Sequence, residues 1–357
     1  MIAFVLVSII LAFAIQKYLL ANALKNVYYH SWPSKNLIEP GEPFDIVSEV
    51  HNDKWLPVLY VALMDKLPQG AKIHGASEET QEPKRFYMLP YQKIRIRTPV
   101  TIDKRGRHQL AGGMLYGGDF FGLSTSMLWK NIWGEIVVIP RRIENPSLDM
   151  LLGGFLGDIS VRRFIMPDPV LTVGVREYTG REPQKDISWI HSVRAGELLV
   201  KQYDHTLEMA VTVILNLETA EGSSIEVMEQ CYSITRNICE ELEQKKIKYS
   251  FLTNVVAVGA IGRANDLRDG LGSRHLGAIL ECLGRGAYLW HGDFEGLLGK
   301  ALGRAEQGRH HIIVTPSSSH GQEAAIHRLR VISGAEAAVI TPEGLSLTTN
   351  YIGEAAS

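Results

Sequence analysis

A surplus of charge of one sign is missing from this chain. Across 357 residues, 37 Lys and Arg face 39 Asp and Glu, a formal net charge of −2, and no long basic run occurs. Without a basic footprint, non-specific nucleic-acid binding has nothing to rest on. Cysteine is scarce as well. Cys231, Cys239 and Cys282 are odd in number and lack CxxC spacing, which argues against a disulfide framework or a zinc site. The signatures of common enzymes are absent: there is no Walker A run, no HExxH and no GxSxG. Gly270-Leu271-Gly272 lacks the rest of a GxGxxG loop and reads as a turn, and the twelve His are scattered.

Apolar residues dominate the N-terminus. Met1–Ile15 carries no charge, and its only polar side chain is Ser8. A helix from Ile2 to about Leu20 approaches the ~20 residues needed to cross a bilayer. Residues 1–24 are therefore expected to anchor the chain in the cell membrane as a single pass. Lys17 and Lys25 follow the span, which places the C-terminal bulk in the cytoplasm. A cleaved signal peptide is the rival reading, because Ala21-Asn22-Ala23 resembles a cleavage site; the absence of Lys and Arg before the apolar run argues against it.

Periodicity divides the rest. Over 32–140 the period is two. Phe44, Ile46, Ser48 and Val50 alternate with polar neighbours, as do Val58, Tyr60, Ala62 and Met64, and Ile94, Ile96, Thr98, Val100 and Ile102. Such runs, punctuated by Pro40-Gly41 and Gly112-Gly113, predict an antiparallel β-sandwich. Residues 141–208 read as a connector. From 209 to 350 strands and helices alternate. Ala210–Leu217 is a doubly buried strand, Ser223 with Glu226 a capping box, Tyr249–Val258 a strand, and Asp293 an N-cap. His311–Thr315 and Ala337–Thr341 are further strands, so a doubly wound α/β domain is expected. The fold class is then α+β multidomain: membrane helix, sandwich, α/β domain.

The specific segment runs from Gly174 to Asp204, GVREYTGREPQKDISWIHSVRAGELLVKQYD. Gly174, Arg176, Tyr178, Gly180, Lys185, Ile187, Trp189, Ser192 and Arg194 match the pattern of the bacterial family called domain of unknown function 58, which this chain resembles over nearly its whole length. A second signature of that family maps onto Arg105-Gly106 and onto Asp119, Phe121 and Gly122. The chain departs from the pattern at Phe120, Arg181 and Val193. The resemblance implies a membrane segment, a β-rich domain and a von Willebrand A-like domain, with a MoxR-type AAA+ ATPase as partner. Within the motif, Arg176, Lys185 and Arg194 supply cations, Glu177 supplies an anion, and Tyr178 and Trp189 offer flat faces on which a guanidinium stacks. The set reads either as an interdomain clamp or as a partner-binding surface.

In metal-binding von Willebrand A domains the first strand ends D-x-S-x-S, whose hard oxygens hold Mg²⁺. Here it ends Asn216-Leu217-Glu218-Thr219-Ala220, and a later strand ends Thr315-Pro316-Ser317. The positions Asn216, Glu218, Ala220, Thr315 and Pro316 thus form a degenerate site, with no cofactor expected. The chain is expected to be a non-enzymatic scaffold or adaptor for protein partners. The alternative is an enzyme or ligand-binding protein using Glu218, Asn254, Thr315 and Ser317 at the C-terminal edge of the sheet.

Overall fold

The computed structural model describes residues 2–73, 82–118, 125–130, 132, 134–144, 153–155, 157, 172–180, 182–203, 210–218, 224–259, 265–304, 309–317, 320–333 and 337–342. The chain divides into two compact units. One comprises Met1–Arg141 with Leu283–Gly286, and the other Arg142–Cys282 with Ala287–Ser357.

The first unit begins with helix α1 (Ile2–Ala21) and continues through strands β1 (Val27–Pro33), β2 (Leu37–Ile38), β3 (Phe44–Asn52), β4 (Val58–Asp65), β5 (Ala71–Ile73), β6 (Lys84–Met88), β7 (Lys93–Ile102), β8 (Gly106–Leu110), β9 (Gly113–Gly118), β10 (Thr125–Lys130) and β11 (Gly134–Val138). These strands form three small sheets. Two are antiparallel, in the orders β1-β3-β7-β5 and β10-β9-β4-β6, and the third is β2-β11-β8 with a parallel β2–β11 pair. Phe44, Ile46, Ser48 and Val50 face inward along β3, as their alternation requires. β4 departs from the expected parity. A register shift between Val58 and Val61 turns Val61, Leu63 and Asp65 inward instead of Tyr60 and Met64.

Two apolar clusters fill this unit, one around Val50, Val61, Leu63 and Leu115, the other around Ile46, Val100, Ile102 and Ile136. Along β3 and β7 a polar group separates them. The buried Asp65 carboxylate accepts hydrogen bonds from Tyr29 Oη at 2.7 Å, Ser48 Oγ at 2.6 Å and Thr98 Oγ1 at 3.3 Å. Lys84 donates to Thr98. Burial, and then the Asp65 charge, holds the Tyr29 phenol above its ordinary range.

The expected membrane anchor requires correction. Among the described residues no helix is long and apolar enough to cross a membrane. The uncharged part of α1, Ile2–Gln16, rises only about 22 Å, short of ~30 Å of hydrocarbon, and Lys17 follows within the same helix. The single-pass topology and cell-membrane localisation expected from this segment fall with it.

The second unit carries β12 (Thr172–Glu177), a 3₁₀ turn (Gln184–Asp186), α2 (Trp189–Ala195), β13 (Leu199–Tyr203), β14 (Ala210–Leu215), α3 (Ile225–Gln244), β15 (Lys248–Thr253), β16 (Val255–Ala257), β17 (Asp266–Gly270), α4 (Ser273–Arg285), β18 (Gly286–Trp290), α5 (Phe294–Leu302), β19 (His310–Val314), α6 (His320–Ser333) and β20 (Ala337–Ile340); the last turn of α4 and Gly286 fall in the first unit. The main sheet has the order β17-β15-β14-β19-β20. Ile214, Leu252, Ile313 and Val339 pack beneath Leu297, Leu298 and Ala301 of α5 and Ile326 and Leu329 of α6. Each buried Ile, Leu or Val side chain of this set contributes about 1.5–3 kcal/mol.

This is not the doubly wound von Willebrand A-like domain expected over 209–350. Over the described residues of the whole chain, strand outweighs helix and is spread over several small sheets. The sequence 266–270, to which no strand was assigned, is strand β17 and returns antiparallel against β15, so the edge is occupied by a hairpin return rather than a parallel βα unit. Ala287–Trp290 pairs with β16 in a separate two-stranded ribbon instead of extending the sheet. β17 escapes a periodicity reading because ion pairs hold it. Asp269 receives both arms of the nearly buried Arg309 guanidinium at 2.8 and 2.6 Å, and Asp266 pairs with Arg304. The residue capping α3 is Ser224, whose Oγ accepts from Val227 N at 3.4 Å; Ser223 lies outside the described residues. Asp293 caps α5 as expected, accepting from Gly296 N at 3.2 Å.

Candidate functional site

The motif over 174–201 folds into one local structure. β12 and β13 form an antiparallel hairpin, and the intervening chain carries the 3₁₀ turn and α2. Serine pins this chain to β13. Ser188 N donates to Leu199 O at 2.8 Å, and Leu199 N donates to Ser192 Oγ at 2.8 Å. Ser192 Oγ also donates to Ser188 O at 2.9 Å, while Ile187 and Val200 are buried at the bridge between them. Gly196 ends α2 at φ +76, a left-handed position that favours glycine, and its N–H donates to Ser192 O. Gly180 at φ +86 turns the chain after β12 in the same way.

Because the serines take the inner face, the apolar side chains of α2 point outward. Trp189 is 62% exposed, Ile190 70% and Val193 81%, so this helix turns the usual amphipathic arrangement inside out. Trp189 is a surface residue of its own unit. Arg176 Nη1 pairs with Glu182 Oε1 at 2.7 Å rather than with an aromatic face. Hydrogen bonding from Thr179, and then from Arg176, holds the Glu182 carboxyl down at about 2. Glu177, Lys185 and Arg194 are exposed, and Tyr178 is half-buried with its N–H bonded to Leu198 O. Among the described residues, Lys185 and Arg194 enter no ion pair. Ile190 and Val193 were not singled out from sequence. Their signal was present as apolar residues at helical spacing around Ser192.

The second signature is only partly within view. Arg105 Nη1 donates to the carbonyls of Leu283 and Gly286, each at 2.7 Å, and Gly106 opens β8 at φ +142. Asp119, Phe121 and Gly122 lie outside the described residues.

At the ends of β14, β15 and β19, the positions expected to form a degenerate metal site form an amide cluster. Asn216 Oδ1 accepts from Asn254 Nδ2 at 2.7 Å and from Glu218 N at 3.0 Å. Asn216 Nδ2 donates to Thr315 Oγ1 at 3.1 Å, and Asn254 Oδ1 accepts from Leu217 N at 3.0 Å. Thr315 Oγ1 donates to Ser317 O, and Pro316 is buried beside it. Glu218 is committed elsewhere, its carboxylate accepting from Phe294 N at 2.5 Å at the start of α5. The group ties three strand ends together through mutually satisfied polar atoms. Ala220 lies outside the described residues, and among those described no cluster of His, Cys, Asp or Glu could hold a metal ion.

No protein-family model matches the chain, and no curated protein matches it. Solved structures are similar only over parts. A Salmonella alpha-2-macroglobulin reacted with methylamine shares 14% identity over 32% of this chain and 8% of its own, at a TM-score of 0.21. The sporulation control protein of Bacillus subtilis shares 11% identity over 43% of this chain and 58% of its own, at 0.19. An alkylpurine DNA glycosylase of Pseudomonas fluorescens shares 12% over 30% of this chain and 31% of its own, at 0.18. The chain therefore spans less than two thirds of each, and none of these likenesses bears on its function.

Proposed function

We propose that this chain is a non-enzymatic scaffold or adaptor that binds a protein partner through the outward face of α2. One observation carries the reading: Trp189, Ile190 and Val193 stand exposed on a helix fixed from beneath by Ser188 and Ser192. Large apolar side chains held in place at a surface are the usual make-up of a binding hot spot, and the rigid support spares the ordering cost of docking. Arg194 and Lys185, exposed and unpaired among the described residues, favour a partner whose docking groove is rimmed by carboxylates. Resemblance to domain of unknown function 58 nominates a MoxR-type AAA+ ATPase for that role. A photocrosslinking side chain placed at Val193 should trap the ATPase subunit when the two purified proteins are mixed. Absence of the crosslink at 193, with crosslinking from another surface, would reject α2 as the docking element.

A further inference from the structure

A second surface in the same unit has its own chemistry and does not depend on α2. The ribbon formed by β16 and β18 leaves Val256, Val258, Leu289 and Trp290 exposed, with Leu289 63% exposed. Neighbouring residues of a strand point to opposite faces, so exposure of Leu289 together with the partial exposure of Trp290, 38%, means that neither face of the ribbon is fully covered there. Its backbone is fixed to the sheet ends, since His291 N donates to Asn254 O at 2.7 Å and Asn265 Nδ2 donates to Val255 O at 2.7 Å. The surroundings are acidic. Tyr288 Oη donates to Glu229 Oε1 at 2.6 Å, which places that carboxylate against the ribbon. Asp293 and Glu295 follow directly in the chain and enter no ion pair among the described residues.

We infer that this ribbon is a docking surface for an extended segment of a partner protein in which apolar side chains alternate with Lys or Arg. The apolar residues would cover Leu289 and Trp290, and the cations would meet Glu229 and Glu295. An extended segment suits a two-stranded ribbon because strand addition supplies backbone hydrogen bonds, while alternate side chains reach the surface. Charge selects against the other occupants. A phosphate backbone would be repelled by the rim, and a second copy of this chain would bring like charges together.

The test uses the full-length protein with two fluorescent probe peptides, one alternating Val with Lys and the other Val with Glu. The Val–Lys probe should bind at least about tenfold more tightly than the Val–Glu probe, with an affinity that falls as salt rises. Leu289→Ser should weaken it by about tenfold, and Val258→Ser serves as a second exposed replacement should the first fail to fold. Glu229→Lys combined with Glu295→Lys should reverse the preference between probes. Equal binding of both probes, no binding of the Val–Lys probe, or binding that survives both replacements in folded protein would overturn the proposal.

Discussion

His311 sits in β19 with no solvent exposure, and neither ring nitrogen has a hydrogen-bond partner among the described residues. Its register neighbours are Thr212 on β14 and Ala337 on β20, neither of which offers a counter-charge. Burial, then the charges of Arg309 and His310, pulls its pKa from 6.5 to about 4. The fold therefore keeps this imidazole neutral, whereas the unfolded chain binds a proton below about 6.5. Stability from this residue is fully present above pH 6.5 and is lost as pH falls towards 4. Below 4 both states are protonated and the loss stops growing. A displacement of about 2.5 units corresponds to about 3 kcal/mol across that window. Urea denaturation from pH 8 to pH 4.5, comparing the native chain with His311→Leu, isolates the residue. The carboxylates with lowered pKa, among them Glu135, Glu182 and Asp269, change protonation in the unfolded chain mostly below that range. Because the chain has two units, the difference between the two proteins is the quantity to read rather than either absolute value. The native chain should lose most of those 3 kcal/mol relative to the variant. Parallel pH profiles would show that the folded protein protonates His311 without cost and would refute the reasoning.

The remaining expectations concern polar groups committed to structure. Asp65→Ala leaves Tyr29, Ser48 and Thr98 without their common acceptor and Lys84 without a nearby counter-charge, so chemical denaturation should show a loss of about 3–5 kcal/mol; a loss under about 1 kcal/mol would contradict the assignment. Titration calorimetry with Mg²⁺ should give no dissociation constant tighter than about 1 mM, because Asn216 is saturated by hydrogen bonds and the Glu218 carboxylate is held by Phe294 N. A tighter constant that disappears in Glu218→Ala would contradict this.

Much of the local structure was legible where burial sets a clean period. Phe44 to Val50 and Ala210 to Leu215 read directly from their spacing, since one or both faces of each strand are apolar. Parity failed at Val61 because a register shift is a backbone event with no compositional mark. Strand β17 failed because Asp266, Arg268 and Asp269 look like a loop until Arg304 and Arg309 are seen opposite two of them. That one strand, together with the separate β16–β18 ribbon, is what defeats the doubly wound expectation. The N-terminal run misled because apolarity alone was read as a span, whereas length free of charge sets the limit. In the motif, the residue types were legible but their direction was not. Whether Trp189 or Ser192 faces inward depends on hydrogen bonds to Leu199, which no spacing rule encodes.

The central claim, that α2 presents a docking face, is tested most directly by Trp189→Ala in the full-length protein. Two quantities are read from the same sample, the unfolding free energy and the affinity for a MoxR-type ATPase. A side chain 62% exposed gives up little on truncation, so stability should change by less than about 1 kcal/mol while binding weakens about tenfold or more. A stability loss of about 3–5 kcal/mol, the cost of truncating a buried aromatic, or an unchanged affinity for the ATPase would contradict the account.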